Sequence, residues 1–215
     1  MSAAFGALGV VADVQALERR NAKERAVKRE TRCAVYIATS VDGWIAKADG
    51  DIGWLQRPEY AGCEVAGVRY EDFIATVDVL VMGRRTFEKV LSFSDWPYGV
   101  LSVVVLSTHV LEIPQRLEGK VRWMGGDPKQ VLVGLAAEGK KRVYVDGGAT
   151  LQGFLREGLI DEIIVTYIPI LLGDGIPLFG VLGQEIPLRF VSVAASACGF
   201  VQVRYEVPVS LDGVR

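Results

Sequence analysis

The chain has 215 residues, half of them hydrophobic and 23% charged, with 24 glycines and a formal net charge of -2. Length and apolar fraction predict one sizeable globular body and exclude whole-chain disorder, collagen-like repeats and coiled coil. No run approaches the ~18–20 apolar residues of a membrane span, and the balanced charge gives no electrostatic reason to bind nucleic acid or an anionic membrane.

Residues 1–32 stand apart. Met1 to Ala12 is small and apolar, whereas Glu18 to Arg32 carries seven Lys/Arg against three acids. In a secretory signal the charge would come before the apolar stretch, not after it. The Glu/Lys/Arg/Ala content from Val14 to Arg29 favours helix. An N-terminal basic helical extension over 1–32 is expected, packed on the body or on a second subunit, with a targeting or basic interaction tail as the alternative.

From Cys33 short apolar runs alternate with helical patterns. The runs are Cys33–Ser40, Asp78–Met82, Ser102–Ser107, Val121–Met124, Arg142–Val145 and Glu162–Ile168. Continuous β-branched runs of this length read as strands buried on both faces. Amphipathic helices are expected at Gly67–Thr76, Thr86–Leu91, Pro128–Glu138 and Thr150–Glu157. The alternation predicts an α/β domain with a mostly parallel central sheet and helices on both faces. Leu188–Ala195 and Phe200–Val207 predict a C-terminal antiparallel hairpin. One domain over 33–207 and a tail over 208–215 follow.

The only histidine is His109, and Cys33, Cys63 and Cys198 are widely scattered. Neither a zinc centre nor a Ser-His-Asp triad is expected, so no metal is assigned. The cysteines fit no disulfide framework, and a reducing compartment, the cytoplasm, is the expected location. The chemistry is then expected from a cofactor.

Two strand ends carry glycine. In RVYVDGGATL (142–151) a buried strand runs into Gly147 and Gly148 and then a helix. Glycines let a phosphate approach the main chain, and free N–H groups at the helix start favour the anion. In DVLVMGRRTFE (78–88) a strand meets Gly83, Arg84, Arg85 and Thr86 before a helix, and arginine forks suit phosphate oxygens. A third strand ends in Ser107 and Thr108. The first strand exits through TSVDGWIA (39–46), where Asp42 either makes the turn or contacts substrate, and Ile45 and Ala46 offer an apolar surface to a flat ring.

Together, TSVDGWIA, VLVMGRRTFE, VVLST, VYVDGGATLQGFL and DEIIVTYIPILLGDGIPLF resemble the dihydrofolate reductase fold family, nearest its riboflavin-biosynthesis reductase relatives. The resemblance covers Cys33 to Val207. It implies a homodimeric NADPH-dependent reductase acting on a small heterocyclic or ribosylamino-pyrimidine-like substrate. It implies cofactor contacts from Ala38, Ile45, Ala46, Gly83, Arg84, Arg85, Thr86, Ser107, Thr108, Asp146, Gly147, Gly148, Ala149, Thr150 and Leu151. On the substrate side it implies Thr166 as a wall residue; Asp42, in the turn after the first strand, is the candidate for a polar substrate contact from the residues themselves. The folate reductases' helix carboxylate aligns with Gly67–Arg69, where no acid stands, which disfavours dihydrofolate. The deaminase motifs H-x-E and P-C-x-x-C are absent, so a stand-alone reductase is expected. The alternatives are a non-catalytic nucleotide-binding protein of the same fold and a divergent dihydrofolate reductase.

Overall fold

In the computed structural model, which describes residues 30–208, the apolar run from Cys33 becomes an interior strand of an eight-stranded sheet. The strands are β1 (Arg32–Ser40), β2 (Trp44–Ala46), β3 (Val79–Gly83), β4 (Val103–Leu106) and β5 (Val121–Met124). They continue as β6 (Arg142–Asp146), β7 (Ile160–Ile168), β8 (Ile176–Pro177), β9 (Arg189–Ala195) and β10 (Val201–Glu206). Helices α1 (Tyr70–Ile74), α2 (Arg84–Leu91), α3 (Pro128–Ala137) and α4 (Gly148–Arg156) intervene. No helix among the described residues is long and apolar enough to cross a membrane. The basic helix expected over 14–29, and all but the first residue of the tail over 208–215, lie outside the described residues.

The sheet order is β5-β4-β3-β6-β1-β7-β10-β9. The first six strands run parallel, and the β9–β10 hairpin adds antiparallel to β7. Both sheet faces are covered, which is why the strands read as continuous apolar runs. Cys33, Val35, Val79, Val81, Val143 and Val145 point to one face, where α3 and α4 bury Val131, Leu135, Leu151 and Phe154. Ala34, Leu80, Met82 and Tyr144 point to the other, under Phe73 of α1 and Phe87 of α2. Each such large side chain contributes roughly 1.5–3 kcal/mol on burial.

Three elements differ from expectation. Helix α1 begins at Tyr70 rather than Gly67, because the Val68 main chain is held by the Gln202 side chain instead of entering a helical ladder. The two-stranded β2–β8 ribbon is too short to show a period in sequence. The cysteines are not all apart: Cys63 and Cys198 are paired, with Cα atoms 6.1 Å apart across 135 residues of sequence. The loop after β2 and the β9–β10 turn fold onto the same end of the sheet, and no spacing rule could have shown it.

Topology also brings the two glycine-bearing strand ends side by side. Adjacent strands β3 and β6 feed helices on opposite faces, α2 on one and α4 on the other. Such a switch point opens a crevice at the strands' carboxyl ends.

Candidate active site

The two glycine-bearing turns meet in that crevice. Gly83 stands just before α2 in an extended conformation, and Gly147 stands before α4 with φ +88. A Cβ on Gly83 would lie 2.7 Å from Thr150 Oγ1, and one on Gly147 would overlap Thr86 Oγ1. Each turn therefore accepts the other's threonine into the space a side chain would fill. Neither helix has a side-chain cap on its first-turn N–H groups, and the interlocked threonines bring the two starts together. Two helix dipoles converging there make an anion cradle.

The remaining candidates arrange around this cradle. A Cβ on Gly148 would meet Ile45 Cδ1 at 3.1 Å and the Pro177 carbonyl oxygen at 3.2 Å, so the β2–β8 ribbon seats Ile45 against the glycine pair. Ala46 is buried in the same ribbon, and Ala38 on β1 packs near Trp54 and Ile168. Leu106 of β4 pairs with Gly83, which places Ser107 and Thr108 just beyond the cradle's other rim. The Ser107 carbonyl accepts from Trp123 Nε1 at 3.0 Å, and its hydroxyl accepts from the His109 N–H at 3.1 Å. Arg84 and Arg85 are exposed at the start of α2, with Glu88 3.7 Å from Arg84. Leu151 is different. Its side chain is fully buried in the core, and its N–H is spent on the Gly147 carbonyl at 2.9 Å, an ordinary helical bond. It supports the turn from below and offers nothing to a ligand.

Asp146 ends β6 directly before the glycine pair. Its Oδ1 accepts from the Gly147 N–H at 2.8 Å. Burial raises its carboxyl to about 6, against a smaller lowering by that single bond. Tyrosines surround it. Burial, and next the Asp146 charge, push the Tyr70 hydroxyl up to about 12. The same two causes raise Tyr98 and Tyr144. Tyr144 donates to the Tyr36 carbonyl at 2.8 Å, whereas the hydroxyls of Tyr70 and Tyr98 make no hydrogen bond among the described residues. Edge-to-face contacts tie Tyr36 to Tyr70 at 5.6 Å and Trp96 to Tyr98 at 5.2 Å. Sequence reasoning had Asp146 only as a cofactor contact. The available signal was an aspartate ending an otherwise apolar strand.

On the opposite side, Thr166 and Asp42 are engaged by the protein itself. Thr166 is buried and accepts from Gln202 Nε2 at 3.2 Å. The same Gln202 side chain accepts from the Val68 N–H at 2.6 Å and donates to the Val68 carbonyl at 3.1 Å. A Cβ on Gly67 would overlap Gln202 Oε1, so glycine is needed for this close approach. Thr166 thus backs a clamp on the segment entering α1. Asp42 accepts from the Ser40 hydroxyl at 2.6 Å and from the N–H groups of Leu172 and Gly173 at 3.1 and 2.7 Å. The Ser40 bond first, and then these backbone bonds, hold its carboxyl down to about 2. The β1–β2 turn is thereby fastened to the loop before β8.

Comparison with known proteins agrees with this architecture. The chain is 36% identical over 163 residues to YwjB of Bacillus subtilis (strain 168), an uncharacterized protein, covering 74% of this chain and 89% of that one. A candidate riboflavin biosynthesis protein from Shewanella sp. PV-4 superimposes with TM-score 0.74 at 39% identity, over 82% of this chain and 99% of that one. A pyrimidine reductase-like protein from Corynebacterium diphtheriae shares the fold, with TM-score 0.60 at 18% identity over 83% of this chain and 92% of that one. Residues 33–202 match the RibD C-terminal domain as a family, a span that takes in β1, the cradle and the Gln202 clamp. With the dihydrofolate reductase-like sheet and its paired glycine turns, that match settles the kinship: the chain belongs to the RibD C-terminal domain family of reductase-type domains.

Proposed function

We propose that the chain is an NADPH-dependent oxidoreductase that delivers hydride to a small heterocyclic or ribosylamino-pyrimidine-like substrate. One observation carries the reading: the interlocked, uncapped starts of α2 and α4 form a cradle for a phosphate group at the sheet's switch point. Gly83, Thr86, Gly147, Gly148, Ala149 and Thr150 would hold the pyrophosphate, and Arg84, Arg85, Ser107 and Thr108 the adenosine 2′-phosphate. Ala38, Ile45 and Ala46 would border the nicotinamide. The bound cofactor would supply the hydride.

The chain's own residues supply placement and a proton. Asp146, with its carboxyl near 6, holds a proton over part of the physiological range, as a general acid must. It stands beside the cradle among Tyr70, Tyr98 and Tyr144, on the side where a planar substrate would stack. This acid favours turnover over a binding-only role. Asp42 and Thr166 act as positioning residues, the first through the loop before β8 and the second through Gln202. A second copy is proposed to pair along β9, an edge strand that exposes Phe190 and Val193. Light scattering that returns a monomer would remove the dimer from this picture.

Titrating NADPH and NADH while following tryptophan fluorescence tests the cofactor. Tighter binding of NADPH, with the preference lost when Arg84 and Arg85 become alanine, is expected. Absence of NADPH binding overturns the reading. NADPH oxidation is then screened against ribosylamino-pyrimidines, dihydrofolate and simple aldehydes. Binding with oxidation by none of them turns the reading to a binding module.

A further inference from the structure

The segment from Cys63 to Val68 connects the loop after β2 to α1, and three ties hold it to the C-terminal hairpin. The Ser196 hydroxyl donates to the Glu64 carbonyl at 2.6 Å and accepts from the Ala66 N–H at 3.1 Å. Gln202 grips both polar groups of Val68. The third tie is the Cys63–Cys198 pair, which joins the loop to the β9–β10 turn. Both cysteines are partly exposed, while Cys33 is fully buried. Around the pair lie Trp54, Ile168, Phe200, Tyr60, Val65 and Ala38, the apolar cluster at the carboxyl end of β1. Two residues beyond Val68 is Tyr70, one of the tyrosines that feel the Asp146 charge.

We propose that Cys63 and Cys198 form a reversible disulfide, a redox latch that holds the segment entering α1, and with it the tyrosine wall beside Asp146, against the hairpin. The reacting partner is a thiol–disulfide couple of the dithiol class. On closing, one cysteine thiolate attacks the partner's disulfide and forms a mixed disulfide. The second cysteine then displaces the partner's sulfur. The two cysteines lose two electrons and two protons, and the partner's disulfide gains them as a dithiol. Reduction is the reverse exchange. With the latch open, the segment keeps the Ser196 and Gln202 hydrogen bonds and the one that the Tyr36 hydroxyl donates to the Val68 carbonyl at 2.9 Å, but loses its one covalent tie, so local opening from the loop to α1 becomes easier. The latch itself stands on geometry; its consequence for substrate rests on the reductase reading.

The test uses the full chain, equilibrated with either reduced or oxidised dithiothreitol, then alkylated without denaturant and mapped by mass spectrometry. In the oxidised sample Cys63 and Cys198 should be recovered as one linked peptide. In the reduced sample both should be alkylated, and Cys33 should not. Amide exchange across 61–70 should speed by roughly tenfold on reduction, with β3 and β6 unchanged. A double variant, Cys63→Ser with Cys198→Ser, should exchange like the reduced protein in either condition. Alkylation of both cysteines after oxidation, equal exchange across 61–70 in the two states, or a variant that still responds to oxidant overturns the latch. NADPH binding measured on the same samples should stay within roughly twofold, since the cradle lies on other elements. Its failure in both states would strike the reductase reading and leave the latch standing.

Discussion

Helix α3 begins differently from α2 and α4. Asp127 accepts from the Gln130 N–H at 2.8 Å while the Gln130 side chain accepts from the Asp127 N–H at 3.1 Å, a complete capping box. The starts of α2 and α4 have glycine there and no cap at all. One helix is sealed by its own side chains, and two others are left uncapped where their starts interlock. The contrast separates a helix start closed by its own side chains from a pair to which the proposed function assigns the cofactor's phosphates.

The largest effect should come from Asp146, whose carboxylate borders the open pair. Asp146→Asn should lower turnover by ~10²–10⁴-fold, as removal of a general acid does. In the parent, turnover should fall as pH rises above about 6, and stopped-flow NADPH oxidation would show this. The sign for stability is opposite to that of a salt-bridged carboxylate. A folded value raised to about 6 from 3.8 costs nothing below the unfolded value, and the cost grows as pH rises through that window and is full above 6. Asp146→Asn should therefore gain about 3 kcal/mol at pH 8 in urea unfolding, and little at pH 4.

Filling an open start comes next. Gly147→Val would place Cβ against Thr86 and force a β-branched residue to φ +88. NADPH affinity should fall by ~10²-fold, given strain of order 1–3 kcal/mol and a displaced turn. Unchanged affinity would break the contrast between the two kinds of helix start. Replacing Arg84 and Arg85 with alanine leaves the starts intact and should weaken NADPH by roughly tenfold per lost charge-assisted contact, with NADH little changed. Last, Asp127→Ala removes the cap of the sealed helix. It should cost ~1 kcal/mol in thermal or chemical unfolding and leave NADPH titration unaltered. An effect on NADPH there would show that the sealed helix is not merely structural.

Much of this was legible in the sequence because the information is local. The β-branched runs of β1, β3 and β6 declare strands covered on both faces, and Gly83, Gly147 and Gly148 stand directly where strands end. The missed features join distant segments. Gln202 clamps Val68 from 134 residues away, and Cys198 meets Cys63 from 135. Neither has a periodicity or a motif, since each depends on how the hairpin lies against the loop. Tyr98, in a loop between α2 and β4, becomes notable only through the Asp146 charge that it feels. Thr166 was placed on the right strand, but the partner that occupies its hydroxyl, Gln202, comes from a neighbouring strand.

The place of β6 has a consequence for how the molecule comes into being. It is inserted between β1 and β3, both of which precede it in the chain, and β7 then covers the other flank of β1. A growing chain that has reached only β5 holds β1 with neither of its sheet neighbours, so the centre of the molecule closes late, through contacts far apart in sequence, a slow topology. The cradle shares that timing, since Gly147 arrives with β6. NADPH at a hundred times its dissociation constant would add about 2.7 kcal/mol to the finished fold and nothing to the partial one. Cofactor supply would then set how much of the newly made protein survives as well as how fast it works.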